Sequence, residues 1–341
     1  MRRPAPPLGY VLAIAGASMF AWLGPLSRWA YEAGIEPLPF VAWRAGVGAL
    51  VLALVVAVRA GLDARRPAAA PVPPRRTTSR ELASLAVATL VGLLLNLAIF
   101  GAFSRVTIAL ALLGFYTYPA MVAAVAVVLG RERWSAATLL ALALALGGMA
   151  VVVAGSLDPA AGIVVDGVGL ALALTAAASQ TVFVTISRSG YRSIPTDRAM
   201  AVILGGTLFG CVVIALATGG AAAVTKPFTI PSVLPILLVA GALGAAIPSL
   251  FFLGAIRRIG GTRTGILMLF EPVVAVTLAA VLLGEALRPI QVVGAVAILA
   301  AAVLIQRSPR EGAAGRRADH ESAEVEGDAT DVLAARIPGG P

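Results

Sequence analysis

Apolar runs of about 20 residues, separated by short polar breaks, recur along the chain as far as Gln306. A run of that length crosses a bilayer as a helix. Only helices serve here, because each unpaired backbone group costs several kcal/mol in lipid. The pattern predicts an all-α polytopic membrane protein with about ten transmembrane helices: Leu8–Trp29, Phe40–Val58, Leu82–Phe103, Thr107–Leu129, Ala136–Ala154, Val168–Ser187, Ala199–Ala217, Val233–Leu253, Thr264–Leu283 and Ile290–Gln306. Two stretches interrupt it. Residues 59–80 are rich in Pro and Arg and read as a flexible loop, and residues 307–341 read as a disordered tail. The first run follows Arg2 and Arg3 and contains Ala13-Ile14-Ala15, as a signal peptide would, but it is longer than a signal's apolar region and reads as a span.

The polar positions carry a second pattern. Gly101–Glu132 reads GAFSRVTIALALLGFYTYPAMVAAVAVVLGRE, and Gly254–Glu285 reads GAIRRIGGTRTGILMLFEPVVAVTLAAVLLGE. A shift of 153 residues places Gly101 on Gly254, Arg105 on Arg258, Pro119 on Pro272 and Glu132 on Glu285 without a gap. This is an internal repeat. It divides the chain into a first unit over 1–155, a second over 156–306 and the tail over 307–341.

Charge adds orientation. With the N-terminus inside, 21 of the 26 Lys and Arg lie on the cytoplasmic side and 4 outside, with Arg44 inside a span. The positive-inside rule thus predicts cytoplasmic N- and C-termini in a multi-pass inner-membrane protein. Five spans per unit make the second unit enter the membrane upside down, the inverted repeat that secondary transporters use. The net charge of +9 reflects Arg in cytoplasmic loops and gives no reason to expect nucleic acid as a partner. A mean hydropathy of +0.94 with 59% hydrophobic residues excludes a soluble fold. Cys211 stands alone, so no intrachain disulfide forms, and the one histidine, His320, lies in the tail. Neither metal nor other cofactor is expected, and no GxxxxGK[ST] loop for ATP is present.

With these residues in view the chain resembles the drug/metabolite transporter superfamily, specifically its EamA-type members. The resemblance rests on Arg44 in VAWRAGVGAL, the Gly254–Arg258 segment, GTRTGILMLFEPVVAV with Glu271-Pro272, and LLGEALRPIQVVGA with Glu285, Gln291 and Gly294. It implies ten helices around a central cavity and export or exchange of small metabolites such as amino acids or drug-like compounds. Where one copy has Glu271-Pro272 the other has Tyr118-Pro119, so no symmetric acidic pair exists.

Glu271 is the one carboxylate set deep in a span, seven residues and ~10 Å in. An acid at that depth costs about 3 kcal/mol and needs a reason: a partner for a substrate amine, a proton site, or a hydrogen bond that locks two helices. Pro272 and Pro119 lack an N–H and should each kink a helix and free a carbonyl. Arg44, four residues into its span, either snorkels outward or clamps an anionic group. Tyr116 and Tyr118 point about 200° apart on a helix, so at most one meets the cavity. Tyr118, opposite Glu271 in the repeat, is the expected one. Asn96 and Gln180 should point inward, as helix-to-helix bonds or as ligands; Trp22 and Ser249 complete the candidate substrate contacts. Glu132 and Glu285 follow apolar runs and precede helix starts, where carboxylates complement the helix dipole in a structural role. Gly206/Gly210 and Gly241/Ala245 read as close-packing positions.

These features predict a secondary transporter, not an enzyme, that exports a small polar or amphipathic molecule by alternating access. Coupled protons and a homodimer stay open. The alternatives are uptake by the same fold, a membrane enzyme or a membrane scaffold.

Overall fold

The computed structural model describes residues 7–64, 77–156, 166–283 and 288–307. In the first unit α1 (Pro7–Phe20) and α2 (Leu23–Glu32) form one span, followed by α3 (Pro37–Ala64), α4 (Ser79–Phe103), the pair α5 (Ile108–Phe115) and α6 (Tyr118–Val128), and α7 (Ala136–Ser156). The second unit runs through α8 (Gly167–Ser187), α9 (Thr196–Ala217), a short α10 (Ala221–Thr225), α11 (Leu234–Gly241), a π-helical turn (Ala242–Ala246), α12 (Ile247–Ile259), the pair α13 (Gly261–Met268) and α14 (Glu271–Leu283), and α15 (Pro289–Arg307). Nine of the ten expected spans are helical stretches long and apolar enough to cross a membrane, among the described residues. The other, Thr264–Leu283, is divided between α13 and α14.

Local chemistry sets the helix starts. Thr78 and Glu81 form a reciprocal capping box on α4, and the side chains of Thr107, Ser135 and Asp166 accept backbone N–H bonds at the first turns of α5, α7 and α8. Asp166 also takes a 3.1 Å bond from Arg105, and that guanidinium beside it holds its carboxyl below the ordinary Asp value. The expected loop over 59–80 is shorter than its composition implies. Helix α3 continues to Ala64, and Arg59 is held at 2.9 Å by Asp197, buried in the first turn of α9. The centre of that loop, the tail beyond Arg307 with His320, and Glu285 lie outside the described residues.

The repeat extends to helix ends. Ile108 and Gly261 start helices, Phe115 and Met268 end them, Tyr118 and Glu271 start the next, and Ala136 and Pro289 the last; each pair is 153 residues apart. Packing follows the same symmetry: α3 lies on α9, α7 on α15, and α4 on α8 as α1 lies on α12. Exchanging the two units maps these contacts onto one another, which makes the fold two inverted five-helix repeats. Small residues allow the close contacts. A Cβ on Gly148 would stand 2.7 Å from the Gly294 carbonyl, one on Gly206 would strike Thr89 and one on Gly241 would strike Val47. Gly148→Leu must therefore push α7 off α15. We expect it to cost about 1–3 kcal/mol, read as a lower melting temperature of the purified protein in detergent; an unchanged value would contradict this packing.

Candidate functional site

Three spans are interrupted where they pass the centre of the bundle, at Ala21–Trp22, Tyr116–Thr117 and Leu269–Phe270. Pro119 and Pro272 were expected to kink continuous helices. Instead each is the second residue of a new helix, where its missing N–H is no loss. The break comes just before, so Tyr118 and Glu271 stand at equivalent helix starts in the two repeats.

The breaks line one cavity of about 170 Å³, many times the room one water needs. Of the residues expected to meet substrate, Glu271, Tyr118, Arg44, Asn96, Gln180 and Ser249 all line it. Trp22 does not: the turn between α1 and α2 leaves it at a helix cap with 37% of its surface exposed, and Phe20, Gly24 and Pro25 line the wall instead. The expectation for the tyrosines also fails, because the 200° separation holds only on a continuous helix. With the chain turning at Tyr116–Thr117, both Tyr116 and Tyr118 face the cavity, their rings 6.1 Å apart and tilted by 33°. Six phenylalanines complete the wall: Phe20, Phe100, Phe103, Phe115, Phe183 and Phe252.

Arg44 does not snorkel. Helix α3 begins at Pro37, so Arg44 is two turns in, 5% exposed, with its guanidinium fixed on three sides. Nη1 donates to Asn96 Oδ1 at 2.5 Å, Nη2 donates to the Gly244 carbonyl at 2.9 Å, and the group lies 5.2 Å from the Phe100 ring centre. Pro248 explains the second bond. It has no N–H to offer the carbonyl four residues back, that of Gly244, and the helix widens there into its π-turn. The prolines singled out from sequence were Pro119 and Pro272; Pro248, a third mid-span proline, was the missed signal. Asn96 joins two helices by accepting from Arg44 at Oδ1, donates Nδ2 to the Gly92 carbonyl of its own helix, and faces the cavity.

Arg44 and Glu271 are the only charged side chains on the cavity wall among the described residues. They attract one another across it without joining in an ion pair. Two buried polar atoms around them have no hydrogen-bond partner, Arg44 Nε and Gln180 Oε1, while the Tyr116 hydroxyl is turned to the Glu271 carboxyl just outside ideal hydrogen-bond geometry. Groups left like this at mid-depth are costly unless something binds them. The wall offers a cation, an anion, a hydroxyl donor and an amide acceptor within an aromatic lining.

Glu132 lies away from this site. Its carboxylate accepts from Arg188 at 2.8 Å, and Ser135, not Glu132, caps the helix that follows.

A ten-helix bundle of inverted repeats with a charged, aromatic central cavity defines a membrane transporter fold. The EamA-like transporter family model matches residues 7–154 and again 167–307, and the chain belongs to that family. The fold is similar to that of a protein known from a crystal structure, 18% identical, over 87% of this chain and 95% of the other, with a TM-score of 0.66. At that identity the likeness bears on the fold alone. No curated protein matches the chain.

Proposed function

We propose that this transporter carries a zwitterionic small molecule with an apolar or aromatic body, an amino-acid-like compound, out of the cell by alternating access. The carrying observation is that Arg44 and Glu271 share one phenylalanine-walled cavity and are not neutralised by each other. A ligand with a carboxylate for Arg44 and an ammonium for Glu271 neutralises both, and its apolar body fits the aromatic wall. The tyrosine hydroxyls and Gln180 then select its polar groups.

Orientation in this reading follows the Arg distribution, with both termini cytoplasmic in the inner membrane. The two repeats rock about the shared centre, driven by protons or by exchange of substrate. The test compares culture medium from cells carrying wild type or empty vector by untargeted mass spectrometry. A narrow class of zwitterionic metabolites should accumulate outside only with wild type. Depletion of that class from the medium would instead make the protein an uptake carrier, and no difference in either direction would overturn the proposal.

A further inference from the structure

Among the described residues, the cavity lining runs out to one end of the bundle. It is bounded there by Phe103 and Ile108, at the end of α4 and the start of α5. Towards the other end it stops, and a separate small pocket opens beyond the stop. That pocket is lined by Val122 and Arg131, by Val184 and Arg188, and by Thr262. The same three walls serve both spaces. One or two helical turns take α6 from Tyr118 to Val122, and α8 from Gln180 to Val184; along α13 and α14 the path leads from Glu271 back to Thr262.

Between the two spaces runs a seam of glycine. Gly261 and Gly265 are four residues apart and share one face of α13. A Cβ on Gly261 would lie 2.7 Å from Val184 Cγ1 and 3.1 Å from Val122 Cγ1. One on Gly265 would lie 3.2 Å from Pro119 Cβ and 3.5 Å from the Tyr118 ring. No side chain of α13 stands between the helices there, and all four neighbours are buried. Next to Gly261, at the outer end of the seam, Thr262 is 2% exposed and its hydroxyl has no hydrogen-bond partner, and both residues line the small pocket. An unbonded hydroxyl in that position is a polar step on a path, with nothing local to satisfy it. Arg188, on the rim of that pocket just past the end of α8, pairs at 2.8 Å with Glu132 in the segment after α6.

The repeat shows what the seam is. Counterparts 153 residues away are Ile108 for Gly261, Leu112 for Gly265 and Ala275 for Val122. Ile108, Leu112 and Ala275 are half-buried and line the open cavity, whereas Gly261, Gly265 and Val122 are buried and packed together. Equivalent positions are therefore apart at one end of the bundle and shut at the other.

We propose that the substrate path continues between α6, α8 and α13, that Gly261 and Gly265 form its closed gate, and that the small pocket is the collapsed vestibule beyond it. This rests on the transport reading for its substrate, but its geometry is testable without one. Glycine lets the helices meet with no interdigitated side chains to unlock, so the seam closes tightly and can part as the halves move.

The test uses the full chain purified in detergent, with single cysteines at Thr262→Cys or Ile108→Cys and a polar maleimide as probe. The native Cys211 is fully buried, and the parent chain gives its background rate. A wedge, Gly265→Leu, is added to each. The expected result is reciprocal. Labelling at position 262 should speed up at least about tenfold while labelling at 108 slows by a similar factor, as a shift between two states requires. An unchanged rate at 262 would overturn the gate, as would faster labelling at both positions, which marks a loosened fold. Should Gly265→Leu fail to give a monodisperse protein, Gly265→Ala replaces it, since Pro119 need give only a few tenths of an ångström; the same reciprocal change, smaller, is expected, and its absence overturns the proposal. If the exchange of accessibility occurs but no metabolite moves in either direction in cells, the gate stands and the transport reading falls.

Discussion

Glu271→Gln, present in the membrane at wild-type level, is expected to lower net transport about 10- to 100-fold. The substitution keeps shape and hydrogen-bonding capacity but removes the only negative charge on the cavity wall among the described residues. A hydrogen bond to a charged group contributes about 1.5–3 kcal/mol, and each 1.4 kcal/mol is a factor of about ten. Proteoliposomes separate the two roles open to this residue. If the variant still exchanges substrate for substrate but no longer accumulates it against a gradient, Glu271 carries the coupled proton. If exchange is lost as well, it binds the substrate's cation. Full activity in both assays would make Glu271 structural and would move the site to Arg44 and the tyrosines.

Arg44→Lys should fail almost as completely as Arg44→Ala, which is the less intuitive expectation. The guanidinium is used as a planar fork: one nitrogen holds Asn96, another holds the Gly244 carbonyl, the plane rests by Phe100, and Nε has no partner. A lysine carries the charge but has one nitrogen at the end of a flexible stem. It cannot keep both anchors and still present a fixed donor to the cavity. We expect KM for the transported substrate to rise by about tenfold or more in Arg44→Lys. Asn96→Ala should raise KM by less, because the Gly244 anchor survives, and adding it to Arg44→Lys should do little more. Additive effects in that pair would show that Asn96 acts on the substrate directly and not by positioning Arg44.

Much of the architecture was legible because lipid leaves so few options: apolar runs became spans, and matched glycines, arginines and prolines became equivalent helix ends. The errors have a common origin. Helical geometry was applied across points where the helix stops. Tyr116 was turned away from the cavity on the assumption of 100° per residue, yet the chain turns at that residue and both rings face in. Trp22, a candidate contact with no positional argument behind it, is carried off the wall by the turn at Ala21–Trp22. Starting the span at Phe40 makes Arg44 look shallow, whereas α3 starts at Pro37 and a capture point for the side chain exists in the third span of the other repeat. That capture point was hidden because it is a backbone carbonyl, freed by Pro248, and no side-chain pattern announces it. Glu132 was matched to the nearest helix end in sequence, while its partner, Arg188, comes from another span.

The contact between α7 and α15 has a meaning of its own. Neither helix contributes to the cavity wall, and each is the other's counterpart in the repeat. Their contact therefore maps onto itself when the units are exchanged, which is the property of an interface between two identical molecules related by a two-fold axis. Two separate five-helix proteins inserted in opposite senses would meet through this same pair. Joined in one chain, each copy was free to change alone, and the cavity records the result: an acid in one copy where the other keeps a tyrosine.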